Sequence, residues 1–240
     1  MLRSLSYIFL ISTMCCYSLL AFSQPIKIHL LQPEITLEYA EAARFSQVLT
    51  DAQSQVDYPV YALGVGLISP NKQTLIEQQK SLILKTLSDI DSAESTHIAE
   101  QLESLHFVYR EKVETRLQQV RTIKKDNPLL THDYVLSIPT RPAFIRLITP
   151  KQIPTPLVKQ IPNARLKDYM TPDIAGDHYD SAWVIQADQS IQYISGIQWQ
   201  GQNHYLSPGS IIFVGLDNVP DQYKHLNQDI AQLLTQHLEL

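Results

Sequence analysis

Thiols are all but absent from this chain of 240 residues: its two cysteines, Cys15 and Cys16, sit side by side within the first apolar stretch. Beyond that stretch no disulfide, zinc thiolate or cysteine nucleophile can form, so the core must stabilise the fold alone. Tryptophan is equally scarce. Trp183 stands with Val184 and Ile185 and reads as core, leaving Trp199 as the other tryptophan; a polymer-cleaving groove lined with aromatic rings has little to draw on. Glycine is sparse too. Gly64-Val65-Gly66 lacks the third glycine and the helix entry of a nucleotide-binding loop, and neither a G-x-S-x-G elbow nor a P-loop occurs. The eight histidines are scattered, none in an H-E-x-x-H arrangement.

The densest set of metal-ligand types is Asp173, Asp177, His178 and Asp180. A divalent ion needs a loop that turns such ligands inward, and this single segment, with no distant ligand to complete it, reads as a solvated loop. Neither a metal nor a cofactor is expected. A carboxylate pair for glycoside cleavage leaves no local signature, because the two partners can be far apart in sequence. The chain is therefore expected not to be an enzyme.

The formal net charge of -5 at pH 7 argues against general nucleic-acid binding. The charge is unevenly spread. Between positions 110 and 125, Arg110, Lys112, Arg116, Arg121, Lys124 and Lys125 face only Glu111 and Glu114.

Met1-Leu2-Arg3 leads into a run without charge from Tyr7 to Phe22, and Ala21 and Ser23 occupy the minus-three and minus-one positions ahead of Gln24-Pro25. That is the form of a secretory signal peptide over residues 1–23. Retention as a membrane anchor is the other reading, disfavoured because the run falls short of the ~20 residues of a spanning helix. Thr13-Met14 before the cysteines is not the small-residue context of lipid attachment.

Past the leader, Ile26, Ile28 and Leu30 alternate with Lys27 and His29, which predicts a strand with one wet face. A second strand is expected through Ile35, Leu37 and Tyr39, then a helix with Phe45, Val48 and Leu49 on one side, then an extended segment over 58–63. A similar order returns about 120 residues later: the alternating run Phe144, Ile145, Leu147 and Ile148, a helix presenting Leu166, Tyr169 and Met170, and extended segments at 183–185, 191–197 and 210–214. Two small sheets, each crossed by one helix, follow the β-grasp plan.

Between the copies, Ser69-Pro70 reads as a helix start and Leu75, Ile76, Leu82, Ile83 and Leu87 form a stripe. Asp91-x-x-Glu94 reads as a second start, followed by Ile98, Leu102, Leu105 and Val108. These two helices are expected as an antiparallel pair that must lean on a sheet. After Pro220 an amphipathic helix places Tyr223, Leu226, Ile230, Leu233, Leu234 and Leu238 on one side.

Several segments, taken in order, resemble the GfcC family of capsule and exopolysaccharide biosynthesis proteins. They are Val60 to Gly64, Asn127 to Leu136, Arg141-Pro142, Ala182 to Ile185, Ser207 to Val214, and Leu226 to Ile230 with Leu233-Leu234. The resemblance implies an α+β fold: two β-grasp domains similar to those of the exporter Wza, over residues 24–139 and 140–217. A helical hairpin at 70–110 is inserted in the first, and an amphipathic helix occupies 218–240. It also implies a periplasmic accessory role in assembling or exporting capsule, O-antigen capsule or exopolysaccharide in a Gram-negative cell. Two departures stand out: a glycine often expected after the first strand of the second domain is replaced near Thr149, and a turn usually containing Asp-Gly reads Asp188-Gln189.

Members of the family carry an arginine after the hairpin in a Val-x-x-Arg context. Val113-Glu114-Thr115-Arg116 matches, with Thr115 where glycine is usual, and Arg110 is the rival match; Arg121 and Arg141 complete the set of candidate ligand-binding residues. An arginine's planar fork of donors suits the carboxylate or phosphate of an acidic polysaccharide or lipid-linked precursor. A solvated face, or an ion pair with Glu111 or Glu114, is the structural alternative. The function expected is non-catalytic binding of a glycan or an outer-membrane export protein by a monomer. A polymer-modifying hydrolase or transferase and a ring-forming channel component are the alternatives.

Overall fold

A computed structural model describes residues 24–153, 156–171, 180–199 and 203–238. The leader, and Asp173, Asp177 and His178, lie outside the described residues. The first half runs β1 (Ile26–Leu30), β2 (Thr36–Tyr39), β3 (Ala43–Arg44), α1 (Phe45–Gln53), β4 (Gly66–Ile68), α2 (Gln73–Ile90), α3 (Ala93–Glu103), α4 (Leu117–Thr122), β5 (Leu129–Leu130) and β6 (Tyr134–Ser137).

Ile26, Ile28 and Leu30 are buried while Lys27 and His29 are exposed, the alternation that one wet face imposes on a strand. β1 pairs antiparallel with β2 and parallel with β6, Ile28 opposite Tyr134, and β4 closes the order β2-β1-β6-β4. The parallel pair at the centre needs a crossover, which α1 begins. That helix buries Phe45, Val48, Leu49 and Ala52 against Ile28, Leu30 and Leu136. Phe45, Val48 and Leu49 each contribute roughly 1.5–3 kcal/mol by leaving water.

The second half repeats the plan with β7 (Phe144–Ile148), β8 (Leu157–Lys159), α5 (Leu166–Tyr169), β9 (Ser181–Ile185), β10 (Ile191–Ser195) and β11 (Ile211–Phe213) before α6 (Leu226–Leu234). The strand order is β10-β9-β11-β7-β8, with β11 parallel to β7. On one face Ile145, Leu147, Val184 and Ile212 meet Leu166, Tyr169 and Met170. The repeat faint in the sequence is thus a repeat of topology, and the fold is α+β with two β-grasp sheets.

The opposite face of the second sheet is covered as well. Ile148, Ile185, Ile211 and Phe213 pack against Leu226, Ile230, Leu233 and Leu234 of α6 and against Ile76, Ile83, Leu87, Ile98 and Leu102 of the hairpin. The hairpin, inserted in the first half of the chain, therefore leans on the second sheet. The two helices of the hairpin and α6 cover that face.

Local departures from the sequence reading have local causes. Leu75 and Leu82 are 55% and 66% exposed, because the stripe facing the sheet is the narrower set Ile76, Ile83 and Leu87. Asp91 does not start α3; it ends α2 in the left-handed conformation (φ 50°), and Ser92 caps α3 through a reciprocal box with Ser95. Ser69 precedes a 3-10 turn over Pro70–Lys72 without capping it, its hydroxyl donating to Glu111 at 2.6 Å instead. The segment 58–63 is not a strand. Tyr61 bonds through its N–H to Pro139 at 2.8 Å, a 3-10 turn follows over Ala62–Gly64, and the extended strand of this region is β4.

The two departures from the family pattern resolve simply. Gln189 takes the left-handed conformation (φ 67°) that glycine takes freely, in a turn closed by Asp188 accepting from the N–H and hydroxyl of Ser190. Thr149 is buried at the end of β7.

Candidate functional site

Leaving the hairpin, the chain runs antiparallel beside β4. Ser69 donates its N–H to Tyr109 at 3.0 Å, and Glu111 donates to Leu67 at 2.7 Å. On its other side the segment pairs with the chain's last described residues: Val108 donates to Gln236 and Leu238 to His106, at 3.0 and 3.1 Å. This strand-like insertion between β4 and the exit of α6 turns the side chain of Arg110 inward. Gly66 makes room for it, since a Cβ there would stand 3.2 Å from Nε.

Arg110 is 9% exposed. Its Nη1 donates to the carbonyls of Thr235 (3.3 Å) and His237 (3.4 Å), and Nη2 donates to Ala187 (3.3 Å). These bonds are long, Nε has no hydrogen-bond partner, and among the described residues no carboxylate forms an ion pair with the group. Burial pushes the guanidinium down to about 10, with the charge of Asp188 opposing the fall. It remains a cation at neutral pH. The carbonyls of Thr235 and His237 lie at the negative end of α6, which offsets part of the cost of burying it.

Two cavities meet at this residue. One, of about 410 Å³, lies where the two sheets and α6 converge and is lined largely by apolar side chains, among them Pro139, Phe144, Ile211 and Leu238, with Tyr58 and Tyr61. No carboxylate is among its described lining residues. Tyr61 ties the halves of the molecule together there, its hydroxyl donating to Pro208 at 3.1 Å; burial raises its pKa. Gly209 sits in the wall at φ 77°, with Pro142 close against it. The other cavity, of about 350 Å³, is polar and carries Arg110, Lys112, Arg116 and Lys125 against Glu114, Asp126 and Asp188.

Of the four arginines proposed from the sequence, the structure brings together Arg110 and Arg116, both lining the polar cavity. Arg116 is held by Glu114 in a two-point pair, Nε to Oε1 at 2.8 Å and Nη2 to Oε2 at 2.7 Å. That pair holds the Glu114 carboxyl down at about 2. Arg121 is exposed on α4 and donates to Thr50 Oγ1 at 2.8 Å, away from both cavities. Arg141 is exposed beside the apolar cavity, between the lining residues Thr140 and Pro142.

Two family models divide the chain between them: the one described as "Capsule biosynthesis GfcC, N-terminal" matches residues 23–141, and "Capsule biosynthesis GfcC C-terminal" matches residues 155–239. The chain belongs to the GfcC family. A member of the curated proteins, "Uncharacterized protein YjbG" of Escherichia coli (strain K12), is 29% identical over 178 residues, which is 68% of this chain and 70% of that protein. Membership ties this GfcC-family chain to capsule biosynthesis.

Sequence reasoning missed most of the cavity walls of this GfcC-family chain. Tyr58 and Tyr61 were expected in a strand; two tyrosines around Pro59 in a loop were the available signal. Lys112, Lys125 and Asp188 carried none beyond charge, because they converge from three separate segments.

Proposed function

We propose that this chain is a non-catalytic periplasmic accessory protein of capsule, O-antigen capsule or exopolysaccharide assembly and export, and that it binds an acidic ligand of that pathway against Arg110. The observation that carries this reading is a buried cation, without an ion-paired carboxylate among the described residues, in the wall shared by two cavities. Burying a guanidinium against long carbonyl bonds, with no ion-paired carboxylate among the described residues, carries a desolvation cost that a bound anion would offset. A carboxylate or phosphate brought to it gains charge-assisted hydrogen bonds in a water-poor setting. The leader form of residues 1–23 supports export with cleavage after Ser23, and the role is proposed for a monomer.

The test is complementation of a capsule-deficient deletion strain, paired with calorimetric titration of an oligouronate. Arg110→Lys and Arg116→Ala proteins that melt near the wild type are expected to lose capsule and to bind the oligouronate at least tenfold more weakly, with Arg121→Ala affected less. Wild-type complementation by both Arg110→Ala and Arg116→Ala proteins would remove the site from consideration. Shortening of polymer by the pure protein would overturn the non-catalytic part.

A further inference from the structure

The two cavities that meet at Arg110 are chemically unlike, and the larger is ill-suited to a sugar. Its walls are built from Pro139, Phe144, Ile185, Ile211, Leu234 and Leu238. Four of the polar side chains set among them, Tyr58, Tyr61, Gln186 and Thr235, already have partners. Tyr58 donates to Ile138 (3.0 Å) and Tyr61 to Pro208 (3.1 Å). Gln186 accepts from Ser207 and Ser210, both at 2.7 Å, and donates to Tyr205 (3.1 Å); Thr235 donates to Gln232 (2.7 Å). A pyranose ring entering this space would bring hydroxyls that lose water and find few free partners, whereas a hydrocarbon chain loses nothing. The volume of about 410 Å³ falls among those of small-molecule sites.

We propose that the apolar cavity holds the alkyl or polyprenyl chain of an anionic amphiphile, whose phosphate or carboxylate lies at Arg110. This rests on the acidic-ligand reading above and narrows it to a lipid-linked ligand. Charge complementarity selects the occupant: the described lining of this cavity contains a cation and no carboxylate, so a neutral or cationic amphiphile leaves Arg110 unanswered. The polar cavity beyond, with Lys112, Arg116 and Lys125 set against Glu114, Asp126 and Asp188, is left for the hydrophilic part that such a ligand carries.

The test is calorimetric titration of the full-length mature protein with butyl, hexyl and octyl phosphate below their micellar concentrations, with octyl glucoside and a tetrauronate alongside. Affinity is expected to rise about fourfold per added methylene, corresponding to the ~0.8 kcal/mol of burying one CH₂, and octyl glucoside is expected to bind at least tenfold more weakly than octyl phosphate. A Leu238→Trp protein, filling the cavity from a residue beyond the end of α6, should lose the chain-length dependence. Affinity independent of chain length in the wild type overturns the inference; with butyl phosphate and the tetrauronate still bound, the acidic-ligand reading survives that failure. Equal affinity for octyl phosphate and octyl glucoside, with the methylene dependence intact, upholds the hydrocarbon site and overturns the acidic head.

Discussion

Gln101 of α3 occupies both backbone hydrogen-bonding positions of Thr149 at the end of β7, its Nε2 donating to the carbonyl oxygen at 2.7 Å and its Oε1 accepting from the N–H at 3.2 Å. One side-chain amide thereby substitutes for a strand neighbour and fixes the hairpin to the second sheet. Gln101→Leu leaves a buried donor and acceptor unmatched, at about 1–3 kcal/mol for each group. The urea midpoint is expected to fall by a corresponding amount with the slope unchanged. A midpoint within error of the wild type would show that water replaces the amide without loss.

Gly66 and Arg110 are coupled by contact. Gly66→Ala puts a methyl 3.2 Å from Nε, so the guanidinium must give by a few tenths of an ångström within its bonds to Thr235, His237 and Ala187. A loss of about 1 kcal/mol is expected, the low end of the range for overpacking, because the guanidinium borders open cavities. In an Arg110→Met background the same change should cost less, giving a coupling of at least about 0.5 kcal/mol in a double-mutant cycle. Strict additivity would mean that the two residues do not sense each other.

The Glu114–Arg116 pair sets a pH signature. Glu114 has its ordinary value near 4.5 lowered to about 2, first by the Arg116 side chain and then by the backbone N–H groups of Arg116 and Thr115. A depressed folded-state value contributes stability above the unfolded-state value, and this is lost as pH falls toward the folded one. Glu114→Gln should therefore melt below the wild type at neutral pH, with the gap closing between about pH 4.5 and 2. A gap that stays constant through that window would assign the loss to something other than this ionisation.

Much of the fold was legible because its signals are local. The alternation in β1 and the spacing of Phe45, Val48 and Leu49 follow from which face is wet, and all three helix residues are buried. The same holds for Leu166, Tyr169 and Met170. Tyr58 to Leu63 misled because tyrosine and valine favour strands in general, while here the backbone of Tyr61 is claimed by Pro139. The arginines show the limit most clearly. In sequence Arg110 and Arg116 belong to one basic run, with Arg116 the match to the family context and Arg110 its rival. Only contacts 77 and 125 positions away, to Ala187 and Thr235, make Arg110 the buried one, and a neighbour two positions away, Glu114, claims Arg116. The alternative of an internal ion pair, weighed from the sequence, describes what Arg116 does in the structure.

The hairpin's buried stripe finds its cover in Ile148, Ile185, Ile211, Phe213 and the residues of α6. None of its packing partners there lies before it in the chain. As synthesis proceeds from the N-terminus, α2 and α3 emerge early with their apolar sides open, and the first sheet, whose core draws on residues 26 to 138, can close without them. The last helix to appear completes a surface made some 120 residues earlier, so that long-range loop closure, and not local helix formation, governs the final step of folding. The apolar cavity, walled by Arg110 on one side and by Leu234, Thr235, His237 and Leu238 on the other, is complete only once that helix is in place.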